Sequence, residues 1–257
     1  MEGPSLYLAK QQLAPFRKQT VRSVSGNTKT DKERLAGKKV KDIFSWGKHL
    51  VFQFDTFAVR IHFMLYGTFA ATVDGMSVTG DYRKGRVPRL ELRFDNGTIE
   101  MFNCSVKFIE EHNLKSRYDY SIDIMSSKWD QGAALKNVRM HGGDQICDVL
   151  LDQTIFSGVG NIIKNEVLSI VKLNPRTAVE DIPVRQLNAL IDEARSFSRQ
   201  FYRWRKAFKL KANLKVYRKP MCPHCSGKIA RRWTGARNRI SFWCPICQPE
   251  PKSDLSA

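Results

Sequence analysis

The chain has 257 residues, of which 42% are apolar, so it can form one large domain or two or three small ones around packed cores. Its 43 lysines and arginines against 25 aspartates and glutamates give a formal net charge of +18, which predicts a polyanionic partner and salt-dependent binding. A membrane surface is disfavoured as that partner, because no apolar run approaches the ~20 residues of a spanning helix and the first residues do not predict a signal peptide.

The first half of the chain is rich in apolar and polar residues that alternate, which is typical of β-strands. A short helix is predicted before them, from Pro4 to Phe16, because proline suits a first helical turn. Turn signals then separate the strands, and Asp95-Asn96-Gly97 is the strongest of these signals. The predicted strands are Val40–Phe44, His49–Asp55, Ala58–Met64, Thr68–Val73, Arg89–Phe94 and Thr98–Phe102. So many strands in about 110 residues predict a β-sandwich.

The pattern changes to helical periodicity after residue 126. The last predicted helix is long, amphipathic and basic at its end. The predicted helices are Trp129–Val138, Asp144–Gln153, Val159–Val171 and Pro183–Phe208. The expected fold class is therefore α+β, with a β-sandwich domain at 1–125, a helical domain at 126–214, a zinc finger at 215–248 and a polar tail at 249–257.

Two Cys-x-x-Cys knuckles occur close to the end of the chain. Their spacing predicts a tetrahedral four-thiolate site on short hairpins for one structural zinc ion. Two disulfides or a redox pair are alternatives, which the matched knuckles and a reducing environment disfavour. The expected ligands are Cys222, Cys225, Cys244 and Cys247.

The two remaining cysteines, Cys104 and Cys147, lie in mixed apolar segments. We expect both to be buried free thiols, as is usual in a reducing compartment. A cytoplasmic location is therefore expected, with association to the nucleoid if the source is bacterial.

Two segments suggest contacts with a phosphate backbone. Residues 152–161 join two predicted helices through Gly158 and Gly160, which let the backbone approach a ligand near a helix N-terminus. Such a connection is more often only a turn, but the charge of the chain and the zinc hairpin strengthen the functional interpretation. The loop between the knuckles carries four arginines, Arg231, Arg232, Arg237 and Arg239.

These features together resemble the formamidopyrimidine-DNA glycosylase and endonuclease VIII family. The segments that carry the resemblance are Leu151-Asp-Gln153, Gly158-Val-Gly-Asn-Ile162 and Asn165-Glu166, with the β-rich first half and the four-cysteine ending. Further matches are Met1-Glu-Gly-Pro4, Trp46-Gly-Lys-His-Leu50 and Arg239-Ile-Ser-Phe-Trp-Cys244. The resemblance covers nearly the whole chain. It implies a helix-two-turn-helix domain at 126–214 and DNA bound in a basic cleft between the domains.

The resemblance also implies a DNA repair glycosylase with abasic-site lyase activity, which cuts the strand by β,δ-elimination through an imine on its N-terminal amine. The family's nucleophile is an N-terminal proline, whereas Met1 occupies that place here. Three explanations are open. A proline was dropped or replaced at the start of the numbered sequence, Met1 itself acts as the nucleophile, or the glycosylase step has been lost. An α-amine, with a reference pKa of about 7.7–8.0 against ~10.4 for lysine, is the better imine former, so we expect activity to survive.

The family's other functional residues match positions of this chain one by one. Glu2 would protonate the deoxyribose ring oxygen as a general acid. Lys48 would hold the phosphate beside the lesion. Asn161 and Arg239 would bind phosphates around the flipped nucleotide, the latter through its forked guanidinium.

The candidate wedge, which fills the gap that a flipped base leaves, lies before Gly67. It consists of Met64, Leu65 and Tyr66. Each of them is as easily interpreted as a core residue of a strand. The ending Leu-Tyr-Gly resembles the endonuclease VIII branch, and only about seven residues separate the long predicted helix from Val216, where the formamidopyrimidine branch carries a longer loop. Both features favour oxidised pyrimidines as substrates.

Two other functions remain open at this point. The first is an abasic-site lyase without glycosylase activity. The second is a non-catalytic protein that binds damaged DNA. A protein that only binds would have no use for Glu2. Damaged DNA is the expected partner in all three cases, without a membrane, and a monomer is expected because one-sided contact with DNA needs no symmetry.

Overall fold

The computed structural model describes residues 1–79, 85–110 and 114–251. The chain divides into two compact units, Met1–Asp119 and Tyr120–Ala257. Among the described helices, none combines the length and the apolar character needed to cross a membrane. The boundaries predicted at 214 and 248 stay predictions, and most of the predicted tail lies outside the described residues.

The first unit is a helix packed on an antiparallel sheet. Helix α1 (Gly3–Gln12) leads into a 3-10 turn at Ala14–Phe16, and the short helix α2 (Leu114–Arg117) comes near the end of the unit. The strands between them are β1 (Ser23–Ser25), β2 (Asp42–Trp46), β3 (His49–Gln53), β4 (Ala58–Val73), β5 (Met76–Ser77), β6 (Leu90–Phe94) and β7 (Gly97–Ile109). They form one sheet in the order β1-β6-β7-β4-β3-β2, with β5 paired to β4.

The core of the first unit lies between α1 and this sheet. Leu6, Ala9 and Leu13 of the helical segment are fully buried, as are Leu50 and Ile61 of the sheet. A fully buried leucine contributes about 2 kcal/mol, so these contacts fix the helix on the sheet. Cys104 packs in the same core, as predicted, and burial raises the pKa of its thiol to about 12.

Two predicted strands of the first unit are in fact one. Ala58–Met64 and Thr68–Val73 belong to the single strand β4, which pairs with β7 on both sides of an irregularity. Two strands were predicted because Gly67 and the polar Thr68 interrupt the alternation of apolar and polar residues. β1 and β5 were not predicted, since strands of three and two residues are too short to show a period.

The second unit is helical and ends in a hairpin. Its helices are α3 (Gln131–Arg139), α4 (Ile146–Val149), α5 (Asn161–Ile170), α6 (Val184–Lys206) and α7 (Leu210–Asn213). Strands β8 (Ala230–Thr234) and β9 (Arg239–Trp243) form an antiparallel pair. The predicted α+β class is confirmed, with an antiparallel sheet in the first part, a helical part and a four-cysteine hairpin. The strands predicted as a β-sandwich pair into a single sheet.

One predicted helix is much shorter than expected. Asp144–Gln153 contains only α4, which covers four residues. The helix ends at Val149, and in the turn that follows the Asp152 carboxylate accepts hydrogen bonds from the amide and the hydroxyl of Thr154 at 2.8 and 2.6 Å. Such local bonds compete with helix hydrogen bonds. Cys147 in α4 is buried, as predicted.

Candidate DNA-binding site and metal centre

The first residues of the chain lie at the start of a well-anchored helix. Glu2 immediately precedes α1, and its carbonyl oxygen accepts a hydrogen bond from the Ser5 amide at 2.9 Å. Pro4 fits here because the first turn of a helix needs no amide donor at that position. Met1 packs against the core of the first unit, yet Met1 and Glu2 both stay partly exposed. The helix thus holds both residues at a fixed place near solvent.

Lys48 lies in the two-residue turn between β2 and β3. Trp46 pairs with His49 across this turn, and Gly47 adopts a φ of 51°, which favours glycine. β3 then pairs with β4, so that His49 lies opposite His62. The turn therefore places Lys48 next to the His49–His62 pair.

His62 lies close to several positive charges of the first unit. Its pKa is lowered from 6.5, first by burial and then by the positive charges of the chain's α-amine, Lys48 and Arg60. Glu2 directly follows the residue that carries this amine. The catalytic roles expected for Met1, Glu2 and Lys48 stay predictions.

Two histidines at this place were missed by the sequence analysis. The rings of His49 and His62 meet edge to face at 5.3 Å, and His49 also stacks on Trp46 at 5.7 Å. Burial, with the nearby charge of Arg60, lowers the pKa of His49 to about 3. Both imidazoles are therefore neutral at pH 7. The sequence carried no signal for this pair, because only the β3–β4 register brings it together.

The candidate wedge residues form an excursion from β4. Phe63 pairs with Cys104 and Thr68 pairs with Phe102, so residues 64–67 lie opposite a single residue of β7. The three exposed apolar side chains of this excursion are Met64 (50%), Leu65 (64%) and Tyr66 (63%). Three large apolar neighbours on the surface indicate a contact site, and the interpretation of these residues as strand core is wrong.

The residue opposite this excursion is Asn103. Its φ of 48° lies in the left-handed region, and its side-chain Nδ2 donates a hydrogen bond to the Leu65 carbonyl at 2.6 Å. A Cβ atom on Gly67 would lie only 2.5 Å from the Asn103 carbonyl oxygen, so a glycine is required there. Asn103 was not predicted, because the two residues of this bond are 38 positions apart along the chain.

In the second unit, α5 holds the hairpin by side-chain hydrogen bonds. Three polar residues on one side of this helix bond to three consecutive residues of β9. The bonds run from Asn161 Nδ2 to the Ile240 carbonyl (2.9 Å), from Lys164 Nζ to Ser241 Oγ (2.7 Å) and from the Phe242 amide to Asn165 Oδ1 (2.7 Å).

Asn161 and Arg239 are brought together by this docking. The Asn161 amide bonds to the carbonyl of Ile240, the residue that follows Arg239, and Arg239 is exposed at the start of β9. Asn161 Oδ1 is buried and has no hydrogen-bond partner within the described ranges. The structural task of Asn161 is therefore to position β9, and its expected phosphate contact stays a prediction.

Acidic residues clamp the tip of the hairpin. The Asp148 carboxylate accepts hydrogen bonds from the amides of Ala236 (2.6 Å) and Arg237 (3.1 Å). The Arg237 guanidinium bonds to Asp152 at 2.5 Å, so this arginine is occupied within the protein. The other three arginines of the loop are exposed: Arg231, Arg232 and Arg239.

Glu166 fixes the segment that leads into the hairpin. It is 1% exposed, and its carboxylate accepts hydrogen bonds from three successive amides. These donors are Lys215 (2.8 Å), Val216 (3.0 Å) and Tyr217 (2.8 Å). A buried carboxylate bonded in this way is a structural group, since its three hydrogen bonds come from the backbone of one segment.

The sulfurs of the two knuckles converge on one point and lie within 4.8 Å of one another. Cys225 and Cys244 are 3.4 Å apart, and Cys222 and Cys247 are 3.9 Å apart. Four thiolates at about 2.3 Å from a tetrahedral zinc lie about 3.8 Å apart, so the donor set fits such an ion. These distances exceed the ~2.05 Å of a disulfide, and the cysteines are free. The cluster can therefore hold a metal ion.

The sequence is similar to DNA repair proteins. The family model described as the formamidopyrimidine-DNA glycosylase N-terminal domain matches residues 2–109. Endonuclease 8-like 3 of Mus musculus is 35% identical over 207 residues, which are 79% of this chain and 34% of that protein. Endonuclease 8-like 2 of Bos taurus is 34% identical over 179 residues, which are 68% of this chain and 52% of that protein. The chain spans about a third to a half of the length of these relatives.

The fold is similar to that of solved glycosylase structures. A viral DNA glycosylase superposes with a TM-score of 0.82 at 22% identity, over 96% of this chain and 100% of that one. The Lactococcus lactis formamidopyrimidine DNA glycosylase, non-covalently bound to DNA with an AP site, gives a TM-score of 0.83 at 20% identity, over 97% and 100% of the two chains. At these identities the likeness concerns the fold.

Proposed function

Because the chain belongs to the formamidopyrimidine-DNA glycosylase and endonuclease VIII family, we propose that it is a DNA repair glycosylase that removes oxidised bases and cuts the strand at the resulting abasic site. The observation that carries the proposal is the placement of the candidate groups: Met1 and Glu2 stay partly exposed at the start of α1, and Lys48 lies in the β2–β3 turn beside the His49–His62 pair. A nucleophile, a general acid and a cation in one place are the parts that this reaction needs.

The reaction proceeds through a covalent bond to the amine of residue 1. The amine nitrogen attacks C1′ of the deoxyribose as the bond from C1′ to the base breaks, and the base leaves with a proton. Glu2 protonates the ring oxygen, so that the sugar opens to an imine. Loss of a C2′ proton then expels the 3′ phosphate, loss of the C4′ proton expels the 5′ phosphate, and water hydrolyses the remaining imine to free the amine. Lys48 holds the phosphate beside the sugar during these steps.

DNA is held by charge and by insertion. Arg239 on the hairpin and the start of α5 at Asn161 bind phosphates, in keeping with the net charge of +18. Met64, Leu65 and Tyr66 enter the duplex where the damaged base is flipped out. Relatives named endonuclease 8-like and the Leu-Tyr-Gly sequence favour oxidised pyrimidines as substrates.

The four-cysteine cluster is proposed to bind one zinc ion with a structural role. The ion would tie the two knuckles together and leave no coordination position for a substrate. It therefore supplies folding energy rather than chemistry. The hydrogen bonds between α5 and β9 set the direction of Arg239, which begins that strand.

A lyase without glycosylase activity is the second candidate, and Met1 favours it. A primary amine stands where the family has a proline. Imine formation with an already abasic sugar needs only a neutral amine. Base removal is the harder step, because the amine must attack C1′ of an intact nucleotide and displace the base.

The test is borohydride trapping with two DNA substrates, after mass spectrometry of the intact protein has defined its first residue. One duplex carries an abasic site, and the other carries thymine glycol or dihydrouracil. We expect an adduct with both, mapped to residue 1. Glu2→Gln should slow base removal by about 10²-fold or more, whereas Glu33→Gln, an exposed acid of the same unit, should not.

Each other result selects another function. An adduct with the abasic duplex alone identifies the lyase, and an adduct on Lys48 moves the nucleophile there. Binding of both duplexes without any adduct identifies a protein that only binds damaged DNA, and the proposal then fails.

A further inference from the structure

We propose that Asn103 is the positioning residue for the loop at residues 64–67, and that its amide sets how the protein enters a stacked duplex. This inference rests on the proposed function, since it concerns the loop that would replace a flipped base. Asn103 itself is not expected to react with the sugar or the base.

The first support is the geometry of the strand ladder. β4 and β7 pair regularly up to Phe63 and Cys104 and again from Thr68 and Phe102. Four residues of β4 thus face Asn103 alone, so the regular pairing of the two strands is interrupted over this excursion. The loop needs an internal support to keep one conformation.

The second support is that Asn103 supplies this bond from its side chain. Nδ2 lies 2.6 Å from the carbonyl oxygen of Leu65, the central residue of the three apolar ones. Asparagine also tolerates the φ of 48° observed here better than most residues, so one residue meets both requirements. The opposing Gly67 lets the two backbones approach closely enough for this arrangement.

The third support is that the loop is held in a conformation that it would not keep unaided. Tyr66 has a φ of 64°, which is uncommon for an aromatic residue. Three apolar side chains stay at least half exposed instead of folding onto the protein: Met64, Leu65 and Tyr66. Without the bond from Asn103, the loop would relax toward a conformation that covers these side chains.

The experiment compares Asn103→Asp and Asn103→Gly with Asn96→Asp. Aspartate keeps the shape and the tolerance for positive φ, but it replaces the amide donor by an oxygen that repels the Leu65 carbonyl. Glycine keeps the backbone freedom and removes the side chain. Asn96 is a matched control, because its Nδ2 also donates to a backbone carbonyl, that of Pro15 at 3.1 Å, in the turn between β6 and β7.

Two measurements separate positioning from general damage. Excision of one lesion is timed in a duplex and in the corresponding single strand, where no base stack has to be opened. Fluorescence of 2-aminopurine placed beside the lesion reports unstacking in the duplex. We expect the duplex rate of both Asn103 variants to fall by about fivefold or more, which corresponds to the loss of one hydrogen bond. Most of the fluorescence rise should be lost as well. The single-strand rate should stay within about twofold, and Asn96→Asp should behave as the wild type.

Other outcomes overturn the inference. Equal duplex rates for Asn103→Asp and Asn96→Asp would show that the bond does not position the loop. Equal losses on duplex and single strand, with a lower unfolding midpoint, would show a purely structural residue. If the wild type acts on neither substrate, the proposed function itself fails, and this result is distinct from the other two.

Discussion

Replacing Glu166 should release the segment that leads into the hairpin from α5, and the size of the effect follows from its three hydrogen bonds. The carboxylate is 1% exposed and accepts from the amides of Lys215, Val216 and Tyr217. Each hydrogen bond to a charged group contributes about 1.5–3 kcal/mol, but removal of the carboxylate also relieves its own desolvation cost. Taken together, Glu166→Ala should lower the free energy of unfolding by about 3 kcal/mol.

Glu166→Gln should cost less, about 2 kcal/mol, because one oxygen still accepts while the new amide group faces the Lys215 N–H. Urea unfolding measures the loss, and hydrogen exchange at residues 215–217 locates it. The control is Glu180→Gln, an exposed acid in the same unit. If Glu166→Ala unfolds at the same urea concentration as this control, or if the three amides stay equally protected, the carboxylate does not hold the segment.

Three further results are expected. Arg239→Ala should weaken binding to DNA of any sequence and reduce the salt slope by about one, whereas Arg237→Ala should do less because Asp152 occupies that side chain; titrations at several salt concentrations compare them. Cys225→Ser should abolish binding of one zinc per chain, read with a colorimetric chelator, and should lower the thermal midpoint; an unchanged midpoint would contradict a structural site. His49 has a pKa lowered to about 3 from 6.5, so the unfolded chain takes up its proton first and stability should fall as the pH drops from about 6.5 towards 3. His49→Gln should flatten this part of the pH profile, and an unaltered profile would assign the acid sensitivity to other groups.

The sequence was sufficient where the chemistry is local. Cys222 and Cys225 share a tight turn, so their spacing alone predicts a metal knuckle, and the alternation around Asn96 predicts a hairpin. Period and spacing are properties of neighbours along the chain, and these predictions do not depend on the rest of the fold.

The parts that could not be predicted depend on distant pairings. His62 meets His49 only through the β3–β4 register, and Asp148 meets Ala236 across 88 positions. Asn161 is predicted to bind phosphate, and the sequence did not indicate that its amide also bonds to the carbonyl of Ile240. A side chain with one donor group can be assigned to a ligand or to the protein only when its surroundings are known.

The docking of the hairpin on α5 has a consequence for metal affinity. α5 fixes β9, which precedes the second knuckle, and Glu166 fixes the segment ahead of the first. The four sulfurs are therefore held near their final positions by the helical unit. Little of the free energy of metal binding is then consumed in ordering the chain. In isolated zinc-finger peptides, by contrast, the cost of ordering the peptide is large. An excised peptide of residues 215–248 should bind zinc more weakly than the whole chain, although all four ligands are present in both.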